Sequence, residues 1–322
     1  MSDYIIPPFG GRTPRIWANR RRRLILDAGG EEATLPDADG WDIGTDGANV
    51  LATYTDGSGG VNGTGIAPIL DDIDNAGRRM HHIDFSPDGL HMVVVSYSAI
   101  IATYDLTVAY DPSTATPTGQ LTGATLPAQC HFNEDGTYLS WQQSNDIMKI
   151  MALSTPYTIS IGDTPSVDTL SETELMGYTS SSDNFHILHP DGTGVWGFGR
   201  VSVTDFTIVW TPLDTPYDFS TPGTPVSSVT NETLLAAGPI SGGLAVNTDG
   251  TEVQFFAGTY TDSMHNFTMG AAFDPTNAVR TSSTEVDITT NFTTAAWSKD
   301  LTLLFMTTGP NAPSSIRVFG RK

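Results

Sequence analysis

The side chains in this sequence that could bind a metal or move a proton are its histidines and its clustered aspartates. His81, His82, His91, His131, His186 and His189 recur near short turns that carry an aspartate. A zinc site needs three or four ligands at bonding distance, each held by a second shell. Strand residues three apart point to opposite faces, so His186 and His189 do not converge. These histidines are read as polar members of repeated positions, and no metal site is assigned. Asp37, Asp39 and Asp42 form one carboxylate cluster, and Asp71, Asp72 and Asp74 form another. Such loops suit a hard cation, which makes them the best calcium candidates, but neither fits the helix–loop–helix calcium pattern. Gly238 to Gly243 has the glycine spacing of a phosphate loop, with Leu244 where the lysine belongs. Gly194-Val195-Trp196-Gly197 is too short for one. Cys130 is the single cysteine, which excludes an intrachain disulfide and reads as a small buried residue. No catalytic residue, cofactor or enzymatic activity is expected.

The elements that carry these residues repeat. His82-Ile83-Asp84-Phe85-Ser86-Pro87-Asp88-Gly89-Leu90-His91-Met92 reads as strand, tight turn, strand. Pro87 pre-sets the first turn dihedral and Gly89 supplies a positive φ. Related phrases run through Gln129–Leu139, Phe185–Gly192 and Leu244–Gly250. Two more are Trp41–Gly47, upstream, and Ala295–Leu301, downstream, where a leucine takes the glycine position. The turn positions are 47, 89, 136, 192, 250 and 301, so the spacing is 42 to 58 residues. One hairpin per repeat of roughly 40–50 residues is the pattern of β-propeller blades. The expected fold is all-β: a six-bladed propeller over 24–322 with an extended N-terminal arm over 1–23. Almost no helix is expected, because no stretch keeps an apolar period of 3.6. The last repeat lacks a fourth strand, and Leu24–Leu26 is the expected donor that closes the ring. The first blade is placed at roughly 38–78. The aspartate of each turn (Asp46, Asp88, Asp135, Asp191, Asp249) is expected to cap its own hairpin.

Charge divides the chain. The whole carries a formal −21 over 322 residues. Residues 1–23 hold six arginines against Asp3, a net +5, leaving about −26 on the remainder. A body this acidic repels nucleic acid and anionic membranes and tolerates salt, so neither nucleic-acid binding nor membrane insertion is expected. Tyr4, Ile5, Ile6, Phe9 and Trp17 make the arm too apolar for a free tail, and Arg12, Arg15, Arg20, Arg21, Arg22 and Arg23 make it basic. These eleven residues are the expected partner-binding site, directed at an acidic groove such as a second copy's body, the alternative being that the arm packs across its own propeller. Met1–Pro8 has no charged region followed by an apolar core, so no signal peptide is expected.

A second phrase follows the third strand of some repeats. Leu153-Ser154-Thr155-Pro156-Tyr157-Thr158-Ile159-Ser160 matches Leu213-Asp214-Thr215-Pro216-Tyr217-Asp218-Phe219-Ser220, with looser echoes at Tyr110–Thr114 and Phe273–Asn277. It reads as a turn whose aromatic covers the blade edge. The turn phrase around Ser86-Pro87-Asp88-Gly89 resembles the WD-repeat-like and TolB-like propeller repeat, without the recurring Gly-His and Trp-Asp dipeptides of true WD repeats. The Thr-Pro-Tyr phrase resembles one found in propeller structural proteins of marine bacteriophages.

That resemblance implies a non-enzymatic virion protein, made in the host cytoplasm and placed in the tail or host-attachment apparatus. Its partners would be other virion proteins and further copies of itself, anchored through the arm. The alternative is a lectin-like module binding a host glycan or receptor, in which Tyr54, Trp196, Trp210 and Tyr260 stack on sugar. A propeller hydrolase or lyase working at the central channel is a third reading, for which no acid–base pair is found.

Overall fold

Each turn phrase forms the hairpin its local signals specify, and the apolar residues that alternate along its strands face the neighbouring hairpins. The computed structural model describes residues 40–43, 50–55, 80–96, 100–124, 127–143, 147–166, 168–176, 185–200, 206–230, 243–247, 249–257, 262–286, 292–299, 301–308 and 315–322. In chain order the strands are β1 (Trp41–Asp42), β2 (Ala52–Thr55), β3 (Met80–Phe85), β4 (His91–Ser96), β5 (Ile100–Leu106), β6 (Ala115–Thr122), β7 (Pro127–Phe132), β8 (Tyr138–Gln143) and β9 (Ile147–Ala152). After a one-turn helix, α1 (Glu172–Met176), come β10 (Phe185–Leu188), β11 (Gly194–Arg200), β12 (Phe206–Pro212), β13 (Val226–Thr230), β14 (Leu244–Val246), β15 (Glu252–Ala257) and β16 (Asp262–Thr268). The last four are β17 (Val279–Val286), β18 (Phe292–Trp297), β19 (Leu303–Thr308) and β20 (Ser315–Arg321).

Among the described residues these strands form five antiparallel sheets. Blade 1 is β3–β6, blade 2 is β7–β9, blade 3 is β10–β13 and blade 4 is β14–β17. Blade 5 runs β18, β19, β20, with β1 and β2 both pairing on the outer edge of β20. In blade 2 the fourth position is irregular: Leu170 exchanges backbone bonds with Met148, and Ser166 N–H donates to Ile150 O. The inner strands β3, β7, β10, β14 and β18 each touch the next, and β18 returns to β3, so the ring is closed.

The count of five corrects the expected six. The phrase beginning at Trp41 does not found a blade; it supplies the outer strand of blade 5. Closure by an N-terminal strand holds, but the donor is Trp41–Asp42 with Ala52–Thr55. Leu24–Leu26, like the arm over 1–23, lies outside the described residues. An all-β propeller with almost no helix is what the sequence predicts.

Among the described residues, five apolar clusters fill the five seams between blades, one each. Phe85, Tyr104 and Tyr110 of blade 1 meet Phe305, Ile316 and Val318 of blade 5. Val93, Val95 and Ile101 meet Cys130, Leu139 and Trp141 across the next seam. Met148 and Ile150 then meet Leu188, Val195 and Val209. Trp196, Phe198 and Trp210 meet Phe255 and Phe267, and Met264 meets Trp41, Trp297 and Phe319. Because each strand buries alternate residues in two different seams, its apolar run is continuous rather than strictly alternating. Each fully buried large side chain contributes about 1.5–3 kcal/mol.

Candidate functional site

Two constellations stand out: a repeated turn assembly at one end of the ring and a polar cluster buried against the inner strands. The turn assembly is built from the glycine upward. Gly89, Gly136, Gly192 and Gly250 have φ between +67° and +76°, and Leu301 holds the same place at +54°. The aspartate one residue earlier accepts a bond from the backbone N–H two residues beyond it: Leu90 N to Asp88, Thr137 N to Asp135, Thr193 N to Asp191 and Thr251 N to Asp249, at 2.9–3.0 Å. Asp46 lies outside the described residues; the other four aspartates cap their hairpins as expected. The bonds from Thr137, together with one from Asn133, hold the Asp135 carboxyl below its ordinary range. Asp88 and Asp191 are also held low; burial works against this, and hydrogen bonds to Ser86 and Leu90, and to Thr193 and His189, outweigh it.

Over each turn glycine lies an aromatic ring from the loop between the third and fourth strand positions. Tyr110, Tyr157, Tyr217 and Phe273 all have φ near +60°. A Cβ on Gly89, Gly136, Gly192 or Gly250 would come within 2.5–2.6 Å of that ring. The N–H of each aromatic donates to the carbonyl of its glycine at 2.8–3.0 Å. The hydroxyls of Tyr110 and Tyr217 also donate to Pro87 O at 2.8 Å and Pro190 O at 2.6 Å, and that of Tyr157 donates to Glu134 O. The expected aromatic cover therefore lies over the turn rather than the blade edge, and the two looser echoes, Tyr110 and Phe273, share the geometry in full. The lids also join blades: Tyr157 stacks on His91 at 4.6 Å, Tyr217 stacks on Tyr138 at 4.4 Å, and Phe273 meets His189 edge-on at 5.0 Å. Asp88, Glu134, Asp135, Asp191 and Asp214 are exposed around this end.

The second constellation centres on Asp84, which is 3% exposed on β3. Its Oδ1 receives Lys299 Nζ of blade 5 at 3.0 Å, and its Oδ2 accepts from Phe132 N of blade 2 at 3.1 Å. His131 Nδ1 lies 3.6 Å from Oδ2. One carboxylate thus ties three consecutive blades. Burial acts to raise its pKa, but Lys299, His131 and His82 outweigh that and hold it well below the carboxylate range. Beside it, Cys130 N donates to His82 Nδ1 at 3.4 Å, and Cys130 Sγ lies 3.9 Å from the same nitrogen. Cysteine, histidine and carboxylate side by side invite a nucleophilic reading. Cys130 is fully buried, however, and burial followed by the Asp84 charge pushes its thiol pKa well up, away from the reactive thiolate.

Polar side chains bridge other seams in the same way. Gln142 Oε1 accepts from His186 N at 3.2 Å. Gln254 Oε1 accepts from Trp297 Nε1 at 2.7 Å and from Trp41 Nε1 at 3.3 Å.

The arm residues Tyr4, Ile5, Ile6, Phe9, Arg12, Arg15, Trp17, Arg20, Arg21, Arg22 and Arg23 lie outside the described residues, as do Asp37, Asp39, Asp71, Asp72, Asp74 and Tyr260. Asp42 is exposed on β1. Among the described residues, no group of three histidine, cysteine or acidic side chains is placed to hold a metal ion. His186 and His189 serve different seams, as the strand period requires. Trp196 and Trp210 are 0% and 6% exposed in the seam between blades 3 and 4, so they cannot stack on a sugar. Sequence reasoning passed over Lys299, Gln142, Gln254 and His265. Lys299 had one available signal, as one of only three lysines in an acidic chain.

No known family profile and no curated protein matches the chain. Among solved structures it is similar to the β-propeller domain of Cps50 (Swd1) from Myceliophteria thermophila, at 10% identity and a TM-score of 0.44, over 76% of this chain and 83% of that one. The class of the fold, a closed five-bladed β-propeller, follows from the sheets and seams described above. Among the described residues no helix is long and apolar enough to cross a membrane.

Proposed function

We propose that this chain is a non-enzymatic structural component of a bacteriophage virion, in its tail or host-attachment apparatus, and that residues 1–23 anchor it there. The observation that carries the scaffold part of this reading is the use of the buried polar groups. Asp84, Gln142 and Gln254 are engaged in bonds between blades, which stiffen the ring. Propellers generally mediate protein–protein contact, and the exposed carboxylates around the lidded turns suit a basic surface on the partner. The arm, with its net +5, has that chemistry, so another copy of the chain is a natural partner alongside other virion proteins. The virion assignment itself rests on the resemblance of the Thr-Pro-Tyr phrase.

Deletion of residues 1–23 tests the reading. The shortened protein is expected to keep its β-sheet circular dichroism and cooperative unfolding, and to lose association with itself or with purified phage particles by sedimentation. Raising salt should weaken the association of the full chain in the same assay. Equal association with and without the arm would overturn the anchoring role. Saturable binding on a glycan array by the arm-deleted protein would favour the lectin-like alternative.

A further inference from the structure

Two histidines outside the Asp84 cluster sit on either side of blade 3. His186, on the inner strand β10, is 0% exposed and faces the seam with blade 2, beside Met176 and Gly197. His265, on β16, is 2% exposed and faces the seam with blade 3, its ring 5.4 Å from that of Phe255. All four ring nitrogens are buried and, among the described residues, have no hydrogen-bond partner. A neutral imidazole loses modestly in such a place. An imidazolium there would leave two N–H donors and a full charge unanswered, which the seam cannot hold unless it opens to water.

We propose that blade 3 is an acid-released element of the ring: protonation of His186 and His265 loosens the seams on both its sides while the joint around Asp84 stays closed. The surroundings support this. On the elements packed against His186, the ionisable groups whose side chains are described are His131 on β7, Tyr138 on β8 and Glu174 on α1; in sequence, Arg200 also ends β11 and Glu172 begins α1. Glu174 is exposed and engaged with Ser171, so it offers no buried counter-charge. Around His265 they are Glu252, three residues along β15 from its cross-strand partner Phe255, and Arg280 on β17. Arg280 adds repulsion to an imidazolium. Burial pushes the His186 pKa down to about 3. Burial, then Arg280, pushes that of His265 down to about 4. Both are lowered relative to the unfolded chain, so the open state binds the extra protons. Stability from these two groups is complete above the ordinary histidine value and is lost as pH falls below it. The Asp84 joint is insensitive over that window, since its carboxylate, held below its ordinary range, stays ionised.

Hydrogen exchange on the full chain tests this, with rates corrected for the intrinsic pH dependence of exchange. Between about pH 6 and pH 4.5, the opening constant of amides in β10–β13 should rise by up to about tenfold per pH unit for each histidine involved, and that of β3–β6 should lag behind. A His186→Gln/His265→Gln variant should flatten the response of β10–β13. Titration of surface carboxylates reduces the repulsion of the acidic body in both proteins, so the difference between them isolates the histidines. Exchange that is unchanged, or that rises equally in β3–β6 and β10–β13, overturns the proposal, as does a wild-type response in the variant. If the variant does not fold, the wild-type comparison between the two blades decides alone.

Discussion

Gly192 shows how much a single position carries. Its φ is +76°, and a methyl group there would lie 2.6 Å from the Tyr217 ring. Gly192→Ala therefore meets both backbone strain and overpacking. We expect a loss of about 2–4 kcal/mol by chemical denaturation, the sum of a left-handed alanine and a displaced ring. Leu301 keeps the same backbone twist with a side chain because it fills the seam between blades 4 and 5 itself, at 8% exposure. Asp84→Asn removes the charge that answers Lys299. We expect a loss of about 2–3 kcal/mol in the same measurement, less than for a fully buried pair because the Lys299 side chain is 30% exposed. Asp84 is held below its ordinary value when folded. Its contribution is therefore complete above the carboxylate range and fades as pH drops below about 4, and the Asn variant should lack that last acid-induced loss. At this scale the sequence was partly legible. Pro87, Asp88 and Gly89 announce their turn locally. Tyr110 and Phe273 do not announce a left-handed backbone, because the pocket that rewards it is made by a glycine about twenty residues away.

Among the elements, the outer edge of blade 5 is the most consequential. Trp41 is 2% exposed, packs in the seam with blade 4 and donates to Gln254, while β1 and β2 cover β20. Trp41→Ala should cost about 3–5 kcal/mol and expose that edge, read as a lower denaturation midpoint with concentration-dependent aggregation. The hairpins themselves were readable from their alternation and turn residues. The number of sheets was not, because Trp41–Ala52 has the local wording of an inner hairpin and only pairing with β20, far along the chain, decides its place. The engaged partners of Asp84 and Gln254 escape a sequence reading for the same reason: 215 residues separate Asp84 from Lys299.

Across the whole molecule, the balance lies between five apolar seams and a strongly acidic surface. With a formal −21, self-repulsion opposes the closed ring at low ionic strength. Raising sodium chloride from about 20 mM to 500 mM should therefore raise the thermal midpoint by a few degrees, an effect that levels off as the screening length falls to a few ångströms. A shift in the opposite direction would mean that ion pairs such as Lys299–Asp84 outweigh the repulsion. Composition made this acidity plain, whereas the uneven distribution of buried histidines around the ring needed the seams to be seen.

The joint between blade 5 and the donated strands has a topological consequence. Lys322 N–H donates to Gly40 O at 2.7 Å, and Trp41 pairs with Arg321, so residues at opposite ends of the described sequence are neighbours. The blades meet one another through side chains, and no blade is first in the circle. Residue 322 could be covalently joined to residue 40 and the backbone cut between any other two blades, and the same five seams would still be available. The linear order of this chain is one of several equivalent ways to write a cyclic object.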